Sequence, residues 1–237
     1  MEESFYLGAY TRPLAFTLQQ AAQFLNQYFT TVHQALPQLA QWHLLNDAVL
    51  DYASNSTEQN LETLQQYIIY EVKEELGKRT KVGLDFVDDS GFVLTFNHTP
   101  QFNGMNIQMR VGGHELSDNI IYYALEKATG FNYALVSTLM KVTVAGFEPK
   151  WATLTSYKLR EEVTQQQNKE YFVGWLTYFS HQVKLPPLPF MPTEPLGTGL
   201  LAIATTETFS ADNPEHAKGP LQLAETLRRH NLYKLKR

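Results

Sequence analysis

His114-Glu115-Leu116-Ser117-Asp118, preceded by Gly112-Gly113, is the densest run of metal-ligating and acid–base side chains in the sequence. An imidazole, a hydroxyl and two carboxylates are the ingredients of a metal seat or an acid–base pair. A metal would need further ligands from elsewhere in the fold, and the same residues also suit a polar turn facing water. Asp85, Asp88 and Asp89 form a second acidic group, able to pair as acids, to hold a hard cation through oxygen, or simply to charge a hairpin turn. His216 follows Asn213-Pro214-Glu215, a setting that fits a helix start better than a reaction. The other histidines, His33, His43, His98, His181 and His230, are scattered.

No established catalytic spacing organises these residues. The sequence has no phosphate-loop GxxxxGK[ST], no HExxH and no GxSxG. Gly197-Thr198-Gly199 precedes a strand rather than a helix, so it is no dinucleotide fingerprint. The chain has no Cys, which excludes disulfides, thiolate metal sites and thiol nucleophiles. No cofactor is expected. The residues alone lead to a binding protein, with a metal-dependent hydrolase built on His114, Glu115 and the Asp85–Asp89 acids as the enzymatic alternative.

The elements that must position such residues are legible from periodicity. Ser4 to Tyr10 reads as a strand. Thr17 caps a helix to about Ala35, with Leu18, Ala21, Ala22, Leu25, Phe29 and Val32 at helical spacing, and Pro37 ends it. Leu39, Trp42, Leu45 and Val49 continue that spacing and predict a short second helix. Thr57 is expected to cap a helix ending at Leu76, with Gly77 as its stop. The period then changes to two. Val82–Val87 and Phe92–Phe96, joined by Asp88-Asp89-Ser90-Gly91, predict a hairpin. Met105 to Val111 alternates, with Met105, Ile107, Met109 and Val111 inward. Asn119 to Leu125 is a continuous apolar run, central strand or buried helix. Phe131 to Ala145 predicts a helix, Trp151 to Ser156 a strand, and Glu161 to Glu170 an exposed helix or loop. Tyr171 to Ser180 and Gly199 to Thr205 read as strands, and Asn213-Pro214 opens a final helix to about His230. Strands in succession with short links favour an antiparallel sheet. The expected fold is α+β: a single domain over 1–237 with a mostly antiparallel, or mixed, central sheet flanked by helices.

Composition agrees with a folded domain: 237 residues, 43% hydrophobic and 18% charged. No apolar run approaches the roughly 18 residues that a membrane span needs. The start, Met1-Glu2-Glu3-Ser4, lacks the basic region of a signal peptide, so a cytoplasmic protein is expected. Net charge is −5, unevenly spread. The last ten residues carry five basic side chains and no acid; the first 227 carry 14 basic and 24 acidic ones. An acidic body disfavours direct nucleic-acid binding, which needs clustered Lys and Arg, and suits a basic protein partner.

An ordered series in the C-terminal third narrows the reading. Gly174-Trp175-Leu176-Thr177-Tyr178-Phe179-Ser180 is followed by Leu185-Pro186-Pro187-Leu188-Pro189 and by Leu196-Gly197-Thr198-Gly199-Leu200-Leu201. Ala204-Thr205-Thr206-Glu207 and Phe209-Ser210-Ala211-Asp212-Asn213-Pro214-Glu215-His216 complete it. The series resembles the immunity protein 52 family of bacterial polymorphic-toxin systems. Tyr6-Leu7-Gly8-Ala9-Tyr10, Trp42 and the Val82–Phe86 segment are also similar to that family. The resemblance implies an inhibitor that binds and neutralises a cognate toxin, here a restriction-endonuclease-fold DNase of the kind delivered by type VI secretion. It implies no catalysis, no direct nucleic-acid or membrane partner and no particular oligomeric state. A chaperone-like accessory subunit of a secretion system is a further alternative. A nuclease presents Lys and Arg to DNA, so its inhibitor is expected to present carboxylates. Glu71, Glu74 and Glu75 at a helix end, with Asp85, Asp88 and Asp89 at the hairpin, are the expected toxin interface.

Overall fold

The computed structural model describes residues 4–11, 17–81, 92–99, 105–111, 119–125, 132–163 and 172–232. Over these residues the architecture is α+β with antiparallel sheets, as expected. The chain divides into two units: an inserted unit, Arg12–Tyr122, and a terminal unit made of Met1–Thr11 with Tyr123–Arg237.

The inserted unit begins with α1 (Leu18–Ala35). Thr17 caps it reciprocally: its Oγ1 accepts from Gln20 N at 3.2 Å, and Gln20 Oε1 accepts from Thr17 N at 3.0 Å. After a single 3-10 turn at Pro37–Leu39 the chain forms β2 (Gln41–Leu44) and β3 (Val49–Asp51), an antiparallel hairpin. The helix predicted over Leu39–Val49 is therefore corrected. Trp42, Leu44 and Leu50 are buried while Leu45 and Val49 are exposed, so burial alternates with period two. Asp47, at φ 63°, supplies the left-handed residue that closes the three-residue loop.

The corner into the next helix is held by side-chain amides. Asn60 Oδ1 accepts from Asp51 N at 3.1 Å and its Nδ2 donates to Asp51 O at 3.2 Å. Helix α2 runs Thr57–Lys81. Its cap is Ser56, not Thr57: Ser56 Oγ accepts from Gln59 N and Gln59 Oε1 accepts from Ser56 N. Nor does Gly77 stop it, since a glycine costs only about 1 kcal/mol in a helix interior. The predicted strand Val82–Val87 and its turn lie outside the described residues. Strands β4 (Phe92–Asn97) and β5 (Asn106–Val111) pair antiparallel, in the order β3-β2-β4-β5. Ile107 and Met109 are buried as the alternation requires. The Phe29 ring from α1 centres the core, 5.2 Å from Trp42 and 4.7 Å from Phe96. Strand β6 (Asn119–Leu125) then carries the chain across the division between the units.

The terminal unit is built on β1 (Phe5–Thr11), β7 (Trp151–Ser156), β8 (Leu176–Phe179), β9 (Thr193–Leu196) and β10 (Gly199–Ile203). They lie antiparallel in the order β1-β7-β8-β10-β9. The register lays Leu7, Leu154, Leu176 and Ile203 in one row across four strands, and Gly8, Thr153, Thr177 and Ala202 in the next row on the opposite face. Strands β1, β7 and β8 are buried throughout. Helices α3 (Tyr133–Phe147) and α4 (Tyr157–Val163) pack against β7, and α4 packs on α5 (Pro214–Arg229). Asn132 Oδ1 caps α3 by accepting from Leu135 N, and Glu148 ends it in the left-handed conformation at φ 44°. Asn213 caps α5 with Pro214 as its first residue, as predicted.

Candidate functional site

His114, Glu115, Asp85, Asp88 and Asp89 lie outside the described residues. Among the described residues no three His, Asp or Glu side chains come together as a metal seat, and no helix is long and apolar enough to cross a membrane. His216 is committed to structure: its Nδ1 accepts from Ser210 N at 3.1 Å, and its Nε2 lies 3.4 Å from Glu207 Oε2.

The acidic residues of α2 divide by face. Glu74 is exposed, while Glu71 is half-buried and turned toward the Tyr67 hydroxyl. That hydroxyl donates to Thr95 O at 2.7 Å and accepts from Thr95 N at 3.1 Å. It satisfies the backbone of β4 one position beyond the last β2 pair, Leu44 with Phe96. Burial, and then the Glu71 charge, push the Tyr67 pKa up. Burial does the same to Tyr52, whose hydroxyl donates to Asn26 Oδ1. Glu71 thus faces the fold, whereas Glu74 faces solvent.

Glu74 ends a row at intervals of four: Glu58, Glu62, Gln66, Tyr70 and Glu74, all exposed. Residues four apart stack along one ridge of a helix, and this row spans about 24 Å. Ile69 stands beside it. Ile69 is 41% exposed and Tyr70 39%, adjacent large apolar side chains on the outer face of a helix whose inner face is filled by Leu64, Tyr67 and Ile68. Lys73 is the one basic side chain among the described side chains of α2. The sequence signal for this face was present: Ile69 and Tyr70 exceed what the Leu61, Leu64, Ile68 and Val72 face needs.

Charge also separates the units. The inserted unit carries twelve carboxylates against six Lys and Arg, a balance of −6; the terminal unit carries twelve against thirteen, a balance of +1. Of the exposed large apolar residues among those described, Leu18, Leu45, Val49, Ile69, Tyr70 and Val93 are in the inserted unit, and Tyr157 and Leu221 in the terminal one.

Several of the residues that carry the family resemblance are interior, while Pro187, Pro189, Thr198, Thr206, Glu207, Asp212, Pro214 and Glu215 are exposed. Trp175 is fully buried, and its Nε1 donates to Thr205 O at 2.7 Å. Its ring stacks on Phe209 at 6.0 Å and tilts on Phe5 at 5.9 Å. A Cβ on Gly174 would fall 2.3 Å from Leu154 O, and one on Gly199 2.1 Å from Phe179 O. Gly197, at φ +53°, is the first residue of the two-residue loop joining β9 to β10, where a left-handed residue is required. Gly174, Trp175 and Phe209 of this series build the core.

A comparison with curated protein sequences finds no match. Among solved structures, the fold is similar to that of the Pseudomonas aeruginosa T6SS protein PA0821, with a TM-score of 0.51 at 10% identity, over 92% of this chain and 73% of that one. Residues 131–236 match the model of the family described as Immunity protein 52, so the resemblance carried by Gly174 to His216 holds over the segment that forms most of the terminal unit.

Proposed function

We propose that this chain is a cognate immunity protein, acting over 1–237 as one immunity module that neutralises a toxin by binding it rather than by catalysis. The observation that carries this reading is the match of residues 131–236 to Immunity protein 52. The toxin proposed is a DNase of restriction-endonuclease fold, delivered by type VI secretion and met in the cytoplasm. The fold likeness to a T6SS protein agrees with that setting. The charge of the inserted unit agrees with a partner that presents Lys and Arg to DNA. Glu74 and Glu75 in the C-terminal half of α2, and Asp85, Asp88 and Asp89 after it in sequence, are proposed to face the toxin, with Glu71 adding charge from beside Tyr67.

The experiment is co-expression with the product of the neighbouring reading frame. The two proteins should co-purify, growth should be restored, and added immunity protein should stop plasmid cleavage by the purified toxin. Undiminished cleavage in the presence of excess immunity protein would exclude the reading.

A further inference from the structure

We infer that the outer face of α2 is the docking surface, with Ile69 and Tyr70 as its apolar anchor and Glu58, Glu62 and Glu74 as its charged flanks. The occupant is a protein with a Lys- and Arg-lined surface around an apolar recess, not nucleic acid, a lipid surface or a second copy of this chain. This rests on the immunity reading and adds the place and chemistry of contact.

Three observations converge. First, Ile69 and Tyr70 are adjacent and exposed in mid-helix, where solubility alone favours polar side chains. Aromatic side chains ringed by polar groups are the usual anchors of protein interfaces. Second, the described carboxylates of this face share one sign, with Lys73 the one basic side chain described beside them. Glu58, Glu62 and Glu74 make no ion pair among the described residues. Glu58 gains from the helix dipole in the first turn, but Glu62 lies beyond it and four residues from Glu58, a spacing that destabilises a helix when charges match. A local rule broken without a folding gain marks a surface held for another purpose. The unit's balance of −6 then selects a cationic partner. Third, the family match covers 131–236 and leaves the inserted unit outside it. In the matched segment Gly174, Trp175 and Gly199 are committed to packing, whereas six of the eight exposed large apolar side chains among the described residues stand in the inserted unit.

The test measures association of the full-length chain with a catalytically inactive form of the toxin from the neighbouring reading frame, at low and moderate salt. Tyr70→Ala should weaken binding about tenfold or more. Glu58→Lys with Glu62→Lys should slow association roughly tenfold at low salt, and the gap should narrow as salt rises. Glu161→Lys with Glu162→Lys, exposed on α4 of the terminal unit, should change neither rate. Melting curves should be unaltered for Tyr70→Ala and the α4 pair and only slightly lowered for the Glu58–Glu62 pair, which loses the Glu58 contact with the helix dipole. Wild-type binding with unchanged rates in the α2 variants would overturn the docking surface while leaving the immunity reading intact. A wild-type chain that binds no toxin would overturn both. A wild-type dimer lost in Tyr70→Ala would assign the face to a second copy instead.

Discussion

Both units build an aromatic core, and they differ in what they leave exposed: among the described residues the inserted unit exposes six large apolar side chains and the terminal unit two, Tyr157 and Leu221. In the terminal unit Phe5, Trp175 and Phe209 meet ring to ring inside the core, and glycines at 174 and 199 let strands approach where no side chain fits. In the inserted unit Phe29, Trp42 and Phe96 make a comparable core, yet Tyr70 and Ile69 are left in water. Within the segment that matches the family model, Gly174, Trp175 and Gly199 hold the fold. On the proposed docking surface, the residues that choose a partner lie in the inserted unit, outside the family match, because a contact surface is constrained by the partner and not by packing.

The sharpest way to break this comparison is at Trp175. Trp175→Ala removes a fully buried indole and its hydrogen bond to Thr205, and should cost about 4 kcal/mol in urea unfolding. A loss under about 1 kcal/mol would mean that the signature is not structural. At the other extreme, Tyr70→Ala should leave the unfolding midpoint within about 0.5 kcal/mol of wild type while weakening toxin binding. Asn213→Ala should cost roughly 1 kcal/mol, the value of a lost helix cap, read in the same unfolding experiment.

Alkaline titration probes the core of the inserted unit by a different route. Tyr52 and Tyr67 have raised pKa values in the folded state. The unfolded chain therefore loses these protons first, so stability is full below about pH 10 and falls as pH rises above it. Circular dichroism should show base-induced unfolding beginning there, and Tyr52→Phe should move it upward. No upward movement would detach Tyr52 from the transition. The smallest effect concerns Gly8. A Cβ there meets nothing within 4 Å, and its φ is not left-handed, so Gly8→Ala should stabilise by about 0.5 kcal/mol through the unfolded state. Destabilisation in thermal melts would show that the space over β1 is not free.

Much of the fold was legible where one physical rule acts alone. Thr17 with Gln20, Asn213 with Pro214, and the alternation of Ile107 and Met109 each announce their element locally. The β2–β3 hairpin was not, because Leu39, Trp42, Leu45 and Val49 satisfy helical spacing while the buried set, Trp42, Leu44 and Leu50, satisfies period two; tertiary burial decides between them. Strand β9 has Pro195 in its middle, which demotes a strand reading except at a sheet edge, where it lies. The acidic group Glu71, Glu74 and Glu75 was visible as composition, though α2 runs past it to Lys81. Its division into Glu71, turned to Tyr67, and Glu74, turned to solvent, depends on where the sheet lies beneath the helix. Ile69 and Tyr70 exceed the apolar face that α2 needs, a signal present in the sequence, but their exposure depends on the same placement.

The most direct measurement is amide hydrogen exchange of the full-length chain with and without the inactive toxin. Exchange of the segment 58–74 should slow on binding, together with its neighbours in the inserted unit, while β7, β8 and β10 exchange as before. Slowing confined to the terminal unit, with 58–74 unchanged at saturating toxin, would contradict the assignment of recognition to the inserted unit.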